Sequence, residues 1–534
     1  MKKVNDNYLS RSVYFKGRII ILVIALATAV LQGNYFTSVA AGADGQLLIS
    51  IIYLIGMIGI AAFMTRTMSG KLTTEGSLLY IIFGGTLMRT AYVLFTDIWT
   101  LQNDGGTFTG FGTPNINNGH IGYVEYIYKF FHIPDMDPYE YFGYYHPPLH
   151  HIIEAIWMTI QRLLGVPEAL AFENMQVPTL IYSALCMLVM LHILEEADVP
   201  KKVMTFGMVL FAFHPRMMVL AGSINNDILA LLLLLVTIWR TLVWIREKSF
   251  KNIIMMALAL GFGMISKLNT AICAFSIALI FFIWFIKVIR EKNVVAIRNV
   301  ILQYVVFGVI CVPIGLSYIV RNLVLFGEKP GIPSPALIPN ESVMYTGEFS
   351  VWSIIGVPTI ADLHVEFPFH PLSAKAIHNT WVILFQTGLF AEAYPTTIGE
   401  SLLSFAQIAY VASIIVAVIT TVVFLVVYGV RLVKQIREKS DFSDVLNTTF
   451  LWTTYVFMLL SFCLYVFKYP YTCSSDFRYM TASLVFTSLG FVALQKVSED
   501  SKDGVASKCL RYFTNFGMAA TLMCALVVYM FWEI

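Results

Sequence analysis

The sequence predicts an all-α polytopic membrane protein of about 13 transmembrane helices. Three observations carry that expectation: 58% of the 534 residues are hydrophobic, only 13% are charged, and apolar runs of membrane-spanning length recur from end to end. The formal net charge of +2 is too small for a nucleic-acid partner, and Lys and Arg fall into short clusters between apolar runs instead of forming one basic face. Of the seven cysteines, Cys186, Cys273, Cys311, Cys463 and Cys524 lie inside apolar runs, Cys473 in a short polar loop and Cys509 in a charged one. They form neither a disulfide framework nor a CxxC metal pattern.

A span needs about 20 apolar residues to cross about 30 Å of hydrocarbon. Such runs lie near 18–36, 47–65, 77–95, 175–194, 202–221, 227–245, 252–267, 269–287, 299–320, 402–430, 448–467, 478–495 and 511–533. The first follows a basic stretch but is long and lacks a small-residue cleavage site, so it is expected to stay as a span. Basic segments at the N-terminus, 66–71, 200–202, 246–251, 287–298, 431–439 and 496–512 are expected in the cytoplasm of a multi-pass plasma-membrane protein. That leaves 37–46, 96–147, the 225–227 turn, the surroundings of Lys267, 321–401 and 469–479 outside.

One run breaks the alternation. If 148–164 crossed the bilayer, every later loop would flip and the basic 246–251 would face outward. The run is therefore expected to lie in the outer interface as an amphipathic helix, with His150, His151, Glu154 and Gln161 on a polar face. The chain reads as a single integral membrane domain, 1–534, with a first extracytoplasmic loop at 96–174 carrying interfacial helices and a second long one at 321–401. No repeat of 20–50 residues is evident.

Chemistry-bearing side chains gather on the outer side. Asp104 stands between Asn103 and two glycines just after the third span, where a partly desolvated carboxylate can act as a general base; an Asp that merely favours the turn is the alternative. His120, Tyr123 and Ile127 share one face of a short helix, while Glu125 and Lys129 point elsewhere. His146, His150 and His151 follow in FGYYHPPLHH (142–151), beside Tyr141, Phe142, Tyr144 and Tyr145. A phosphate and sugar site suits these donors and rings, against an aromatic interfacial belt or a metal site; no HExxH or similar zinc spacing occurs.

Further along, Asn225, Asn226 and Asp227 end a span, with Asp227 equally readable as a helix N-cap. Lys267 lies at the outer end of another, where the positive-inside rule gives it no purpose and a lipid phosphate does. Arg478, two residues after Asp476, and Arg321 are further outer cations, each also readable as an interfacial anchor. Glu392 is a possible extra acid in the second long loop.

These residues sit in stretches that together resemble a known family. QNDGGTF (102–108), GHIGYVEYIYKFFHIPDMDP (119–138), YYHPPLHH (144–151), FHPRMMVLAGSINND (213–227), GFGMISKLNT (261–270) and CSSDFRY (473–479) resemble bacterial members of the glycosyltransferase-C superfamily, in the branch related to protein O-mannosyltransferases. The resemblance spans roughly residues 75–495. It implies an all-helical membrane enzyme that passes a sugar from a polyprenyl-phosphate donor to a protein, glycan or lipid acceptor outside the cell, with inversion at the anomeric carbon. In that family an acid of the first outer loop is the catalytic centre. Asp104 stands in that place, although Gly105 follows where the family commonly has a second acid.

On this reading Asp104 is catalytic, and His120, Tyr123, His146, His150, Asn226, Asp227, Lys267 and Arg478 bind substrate. Side-chain cations neutralise the departing phosphate, so no cofactor or obligatory metal is expected, with a divalent ion as the alternative. A flippase for a lipid-linked sugar is the rival reading, but carriers place polar groups near the midplane, whereas here the span centres are apolar. A non-enzymatic assembly or receptor protein is a third reading, drawn from the turn-rich 321–401 loop.

Overall fold

The computed structural model describes residues 8–40, most of 54–100, 119–327, 379–391, 400–500 and 504–531, with residues 354 and 356 besides. Every regular element among them is helical. In chain order these are α1 (Arg11–Ala40), α2 (Thr74–Phe95), α3 (Gly119–Phe130), α4 (Leu149–Leu163), α5 (Glu168–Glu173), α6 (Gln176–Glu196), α7 (Lys201–Phe213), α8 (Pro215–Gly222) and α9 (Asp227–Arg246). The second half adds α10 (Phe250–Ser266), α11 (Ile272–Arg290), α12 (Val294–Phe326), α13 (Thr380–Phe390), α14 (Glu400–Arg437), α15 (Phe442–Lys468), α16 (Ser483–Asp500) and α17 (Val505–Phe531).

Nine segments among the described residues are long and apolar enough to cross a membrane, and α7 with α8 forms a bent tenth. The chain is therefore a multi-pass membrane protein. The expected thirteen spans are reached only if the shorter α10 and α16 and the 47–65 stretch also cross, and 47–65 lies mostly outside the described residues. Boundaries follow local chemistry. The hydroxyls of Thr73 and Ser249 and the amide oxygen of Asn293 accept amide hydrogen bonds at the starts of α2, α10 and α12. Gly327, at φ +72°, ends α12, so Arg321 belongs to that helix and not to the following loop.

The bend between α7 and α8 measures 47° and has an identifiable cause. Pro215 offers no amide hydrogen, and the Arg216 amide donates to His214 Nδ1 at 3.3 Å instead of continuing the helix ladder. The Ala212 carbonyl freed by the break accepts from Arg89 Nη1 of α2 at 2.7 Å. Arg89 Nε also donates to Ser183 Oγ at 2.8 Å, and that hydroxyl donates to the Met217 carbonyl at 2.6 Å. A fully buried arginine thus closes the break from both sides.

Contacts sort the loops onto two ends of the bundle. At one end Arg246 pairs with Glu196 (3.0 Å) and Asp198 (2.7 Å), Lys201 with Glu75 (3.8 Å), and the Ser10 hydroxyl with Glu75 (2.8 Å). At the other, Gln176 donates to the Gly222 carbonyl, Tyr318 to the Tyr144 carbonyl and Arg321 to the Pro134 carbonyl. The basic 200–202 and 246–251 segments therefore lie opposite the histidine-rich stretch, as the charge alternation requires.

α4 is helical over the stretch expected at the interface, but its faces are turned differently from the expectation. His150, His151, Glu154 and Gln161 are buried against the protein, while Ile156, Leu163 and Leu164 are 54%, 82% and 77% exposed. Hydrocarbon stabilises an outward apolar face as well as a protein core does, so the polar groups of this helix turn inward to find partners.

Candidate functional site: a cation-rich cluster at one end of the bundle

The site is built from α3, the 142–151 segment and four distant turns. Gly119 and Gly143 take left-handed φ values of +85° and +86°, and the Gly119 amide donates to the Phe142 carbonyl at 2.7 Å. A Cβ on Gly143 would stand 2.9 Å from the Gly119 backbone, so both the conformation and the close approach require glycine there. This junction sets α3 against the histidine-rich stretch. His120 Nδ1 lies 2.9 Å from His151 Nε2, and the His120 ring stacks on His146 with centroids 5.2 Å apart. Tyr123 is sandwiched between Tyr144 (4.8 Å) and His151 (4.1 Å), and its hydroxyl donates to Tyr318 at 3.3 Å.

His146 is the half-buried member of this ring stack. Burial first, then the neighbouring His120 and the cations Lys267 and Arg478, hold its pKa well below the usual imidazole range, which favours the neutral ring. Burial does the same to His151.

The cations come from three other parts of the chain. Lys267, directly after α10, pairs with Asp227 at the start of α9, and its ammonium lies 5.1 Å from the Tyr479 ring centre. Arg478 sits 5.6 Å from the same ring. Asp476 accepts from Arg216 Nη2 at 3.0 Å and from the Arg478 amide at 2.7 Å. Arg216 Nη1 also donates to the Thr387 carbonyl of α13 at 3.3 Å, and Thr387 Oγ1 accepts from the Phe477 amide at 2.9 Å. Asn226 donates to the Ser266 carbonyl at 2.6 Å, tying the Asp227 turn to the end of α10. Among the described residues, Arg216, Lys267 and Arg478 thus face two carboxylates, Asp227 and Asp476, which leaves an excess of positive charge.

His120, Tyr123, His146, His150, Asn226, Asp227, Lys267 and Arg478 all lie at this end. Asp104 and Glu392 lie outside the described residues. Asp227 does not cap its helix: Asn226 holds the cap position, and the Asp227 carboxylate engages Lys267. Arg321 anchors the Pro134 carbonyl and Asn322. Sequence reasoning passed over Arg216, although an arginine after His-Pro at the end of an apolar run is itself a signal, because a charge at that depth needs a partner. Among the described residues no group of three or more His, Cys, Asp or Glu side chains is placed to hold a metal ion.

The fold and this cluster define an all-helical multi-pass membrane protein with a positively charged, histidine-lined site at one end of its bundle. Residues 146–314, which include His146, His150, Arg216, Asp227 and Lys267, match the family described as dolichyl-phosphate-mannose-protein mannosyltransferase. That match bears out the glycosyltransferase-C resemblance. No curated protein matches the chain.

Similar solved structures include the oligosaccharyltransferase AglB of the archaeon Archaeoglobus fulgidus in complex with an inhibitory peptide and a dolichol-phosphate. It is 11% identical, with a TM-score of 0.45, over 84% of this chain and 55% of that one. The apo form of the Archaeoglobus fulgidus enzyme aligns with a TM-score of 0.46 at 10% identity, over 84% and 55%. ArnT from Cupriavidus metallidurans bound to undecaprenyl phosphate aligns with a TM-score of 0.31 at 12% identity, over 83% of this chain and 89% of that one. The chain spans about half the length of the archaeal enzymes.

Proposed function

We propose that this protein is a membrane glycosyltransferase that moves a sugar from a polyprenyl-phosphate donor to an acceptor hydroxyl on the extracytoplasmic face of the plasma membrane. The observation that carries the reading is the excess of cationic side chains around Tyr479, where Lys267 and Arg478 flank one ring. A site of that charge suits a phosphate monoester, and the family matched over 146–314 is described by a lipid-phosphate-linked sugar. Asp104 takes the proton of the acceptor hydroxyl as its oxygen attacks the anomeric carbon. The bond from that carbon to the phosphate oxygen breaks, the configuration inverts, and the polyprenyl phosphate leaves as an anion held by Lys267 and Arg478. Side-chain cations serve here in place of an obligatory metal.

The test is Asp104→Asn in the purified full chain, given a polyprenyl-phosphate sugar in detergent. Transfer is expected to fall by about 10²- to 10⁴-fold, the usual worth of a general base, while polyprenyl phosphate still binds. Undiminished transfer removes Asp104 from the mechanism. Movement of the intact donor lipid across vesicles without its consumption replaces the enzyme by a carrier.

A further inference from the structure

Behind the cation cluster, Glu154 and His150 stand one turn apart on the inward face of α4, both fully buried, with Glu154 Oε1 3.9 Å from His150 Nδ1. On its other side His150 Nε2 lies 3.0 Å from the Ile224 carbonyl. A carbonyl only accepts, so Nε2 carries the proton of that bond. Burial keeps the ring neutral, with its pKa lowered to about 3, and leaves Nδ1 as a bare acceptor without a hydrogen-bond partner. Neither oxygen of Glu154 has a hydrogen-bond partner, and burial pushes its pKa well above the carboxylate range. A protonated carboxyl is a donor, so the two unpaired groups that face each other are complementary.

We propose that Glu154 is a positioning residue: its carboxylic acid donates to His150 Nδ1, and His150 in turn holds the Ile224 carbonyl, fixing the 223–227 turn that presents Asp227 to Lys267. The turn carries its own bonds, with Asn225 Oδ1 accepting from the Asp227 amide at 3.0 Å and Asn226 reaching Ser266. Those bonds tie the turn to itself and to α10. The link through His150 is the polar tie to α4, the helix that also carries His151, beside the apolar one made by Ile224 in a shared buried cluster with Ala155 and Met158. A buried acid without such a task behaves differently, because an apolar side chain of similar size in its place is neutral or stabilising.

The experiment compares Glu154→Met and Glu154→Gln in the full chain in detergent, by hydrogen exchange and by binding of polyprenyl phosphate. The amide of Gln still donates to Nδ1, so exchange across 223–227 is expected to stay at the wild-type level in Glu154→Gln and to rise about tenfold in Glu154→Met, the worth of one buried hydrogen bond. Unchanged exchange in Glu154→Met, or an equal rise in both variants, overturns the proposal. If Glu154→Met does not fold, the ¹⁵N spectrum of the wild-type histidines decides, with His150 assigned through His150→Asn. A His150 Nδ1 shifted by an accepted hydrogen bond supports the proposal, and a free Nδ1 overturns it. The binding arm rests on the function proposed above, and polyprenyl phosphate is expected to bind about tenfold more weakly to Glu154→Met alone. Raised exchange with unchanged binding upholds the positioning role and counts against the phosphate site.

Discussion

Replacing Lys267 by Met separates the two tasks that its ammonium performs. The group pairs with a carboxylate that is itself buried, and the second oxygen of Asp227 has no hydrogen-bond partner. Removing one partner of such a pair leaves an uncompensated charge and costs about 3–5 kcal/mol. Arg478 and Arg216 also act on Asp227, which places the expected loss near the lower bound. The double variant Asp227→Leu with Lys267→Met removes both charges, and most of the stability should return. Binding of polyprenyl phosphate should not return, because a charge-assisted hydrogen bond of about 1.5–3 kcal/mol is gone, a loss of roughly 10- to 150-fold in affinity. Thermal unfolding in detergent reads the first effect and equilibrium binding of polyprenyl phosphate the second. A double variant as unstable as the sum of the single ones shows that the pair is not coupled. One that regains full binding shows that the phosphate does not meet Lys267.

Other consequences can be measured directly. Burial lowers the pKa of His146, His150 and His151 below that of the unfolded chain, about 6.5. The stability tied to their neutral form is complete above that pH and lost as acid approaches the folded values. Buried Glu154, with its raised pKa, works in the opposite sense over the same window, so the readout is the difference between proteins: from pH 6.5 to 5 the melting temperature of His150→Asn should drop less than that of the wild type. In a background with Cys473 and the exposed Cys509 replaced by Ser, a cysteine at Glu140 should react with an impermeant reagent in intact cells, and one at Glu247 only after lysis. The reverse pattern would invert the topology. Arg89→Leu strips the Ala212 carbonyl of its side-chain partner, while Ser183 keeps its bond to the Met217 carbonyl, and should destabilise the fold by about 1–3 kcal/mol for the buried group left unpaired, read by thermal unfolding.

Much of the fold is written in composition and charge. Apolar run length locates most of the helices, and the alternation of Arg and Lys clusters places 200–202 and 246–251 opposite the histidine stretch. In α3 the residues His120, Tyr123 and Ile127 are buried, but so is every other residue of 119–127, Glu125 included, so the helix is sheltered on all sides there and not on the one face its spacing picks out. What hydropathy does not carry is side-chain direction in a solvent of changing polarity. The 148–164 stretch reads as amphipathic, but the pattern alone does not say which face meets protein. The break at His214 and the use of Arg89 to close it were equally illegible, because 202–221 scans as one apolar run and the repair comes from a helix far away in sequence.

At the site, chemical type was a better guide than position. Lys267 and Arg478 stood out because cations at outer span ends have no topological purpose, and they share one tyrosine ring. Arg216 and Asp476 escaped notice as a pair because 260 residues' worth of chain separates two groups that meet at 3.0 Å. Glu154 was assigned to a polar face, yet its significance lies in a histidine one turn before it and a carbonyl from another segment.

The outward greasy side of α4 also bears on how the protein can be handled. Residues 96–174, cut out as a water-soluble fragment, would set Ile156, Leu163 and Leu164 against solvent and strand Glu154 without the bundle that shelters it. Such a piece should clump instead of folding, so ligand studies of this region call for the intact chain in a lipid-like environment.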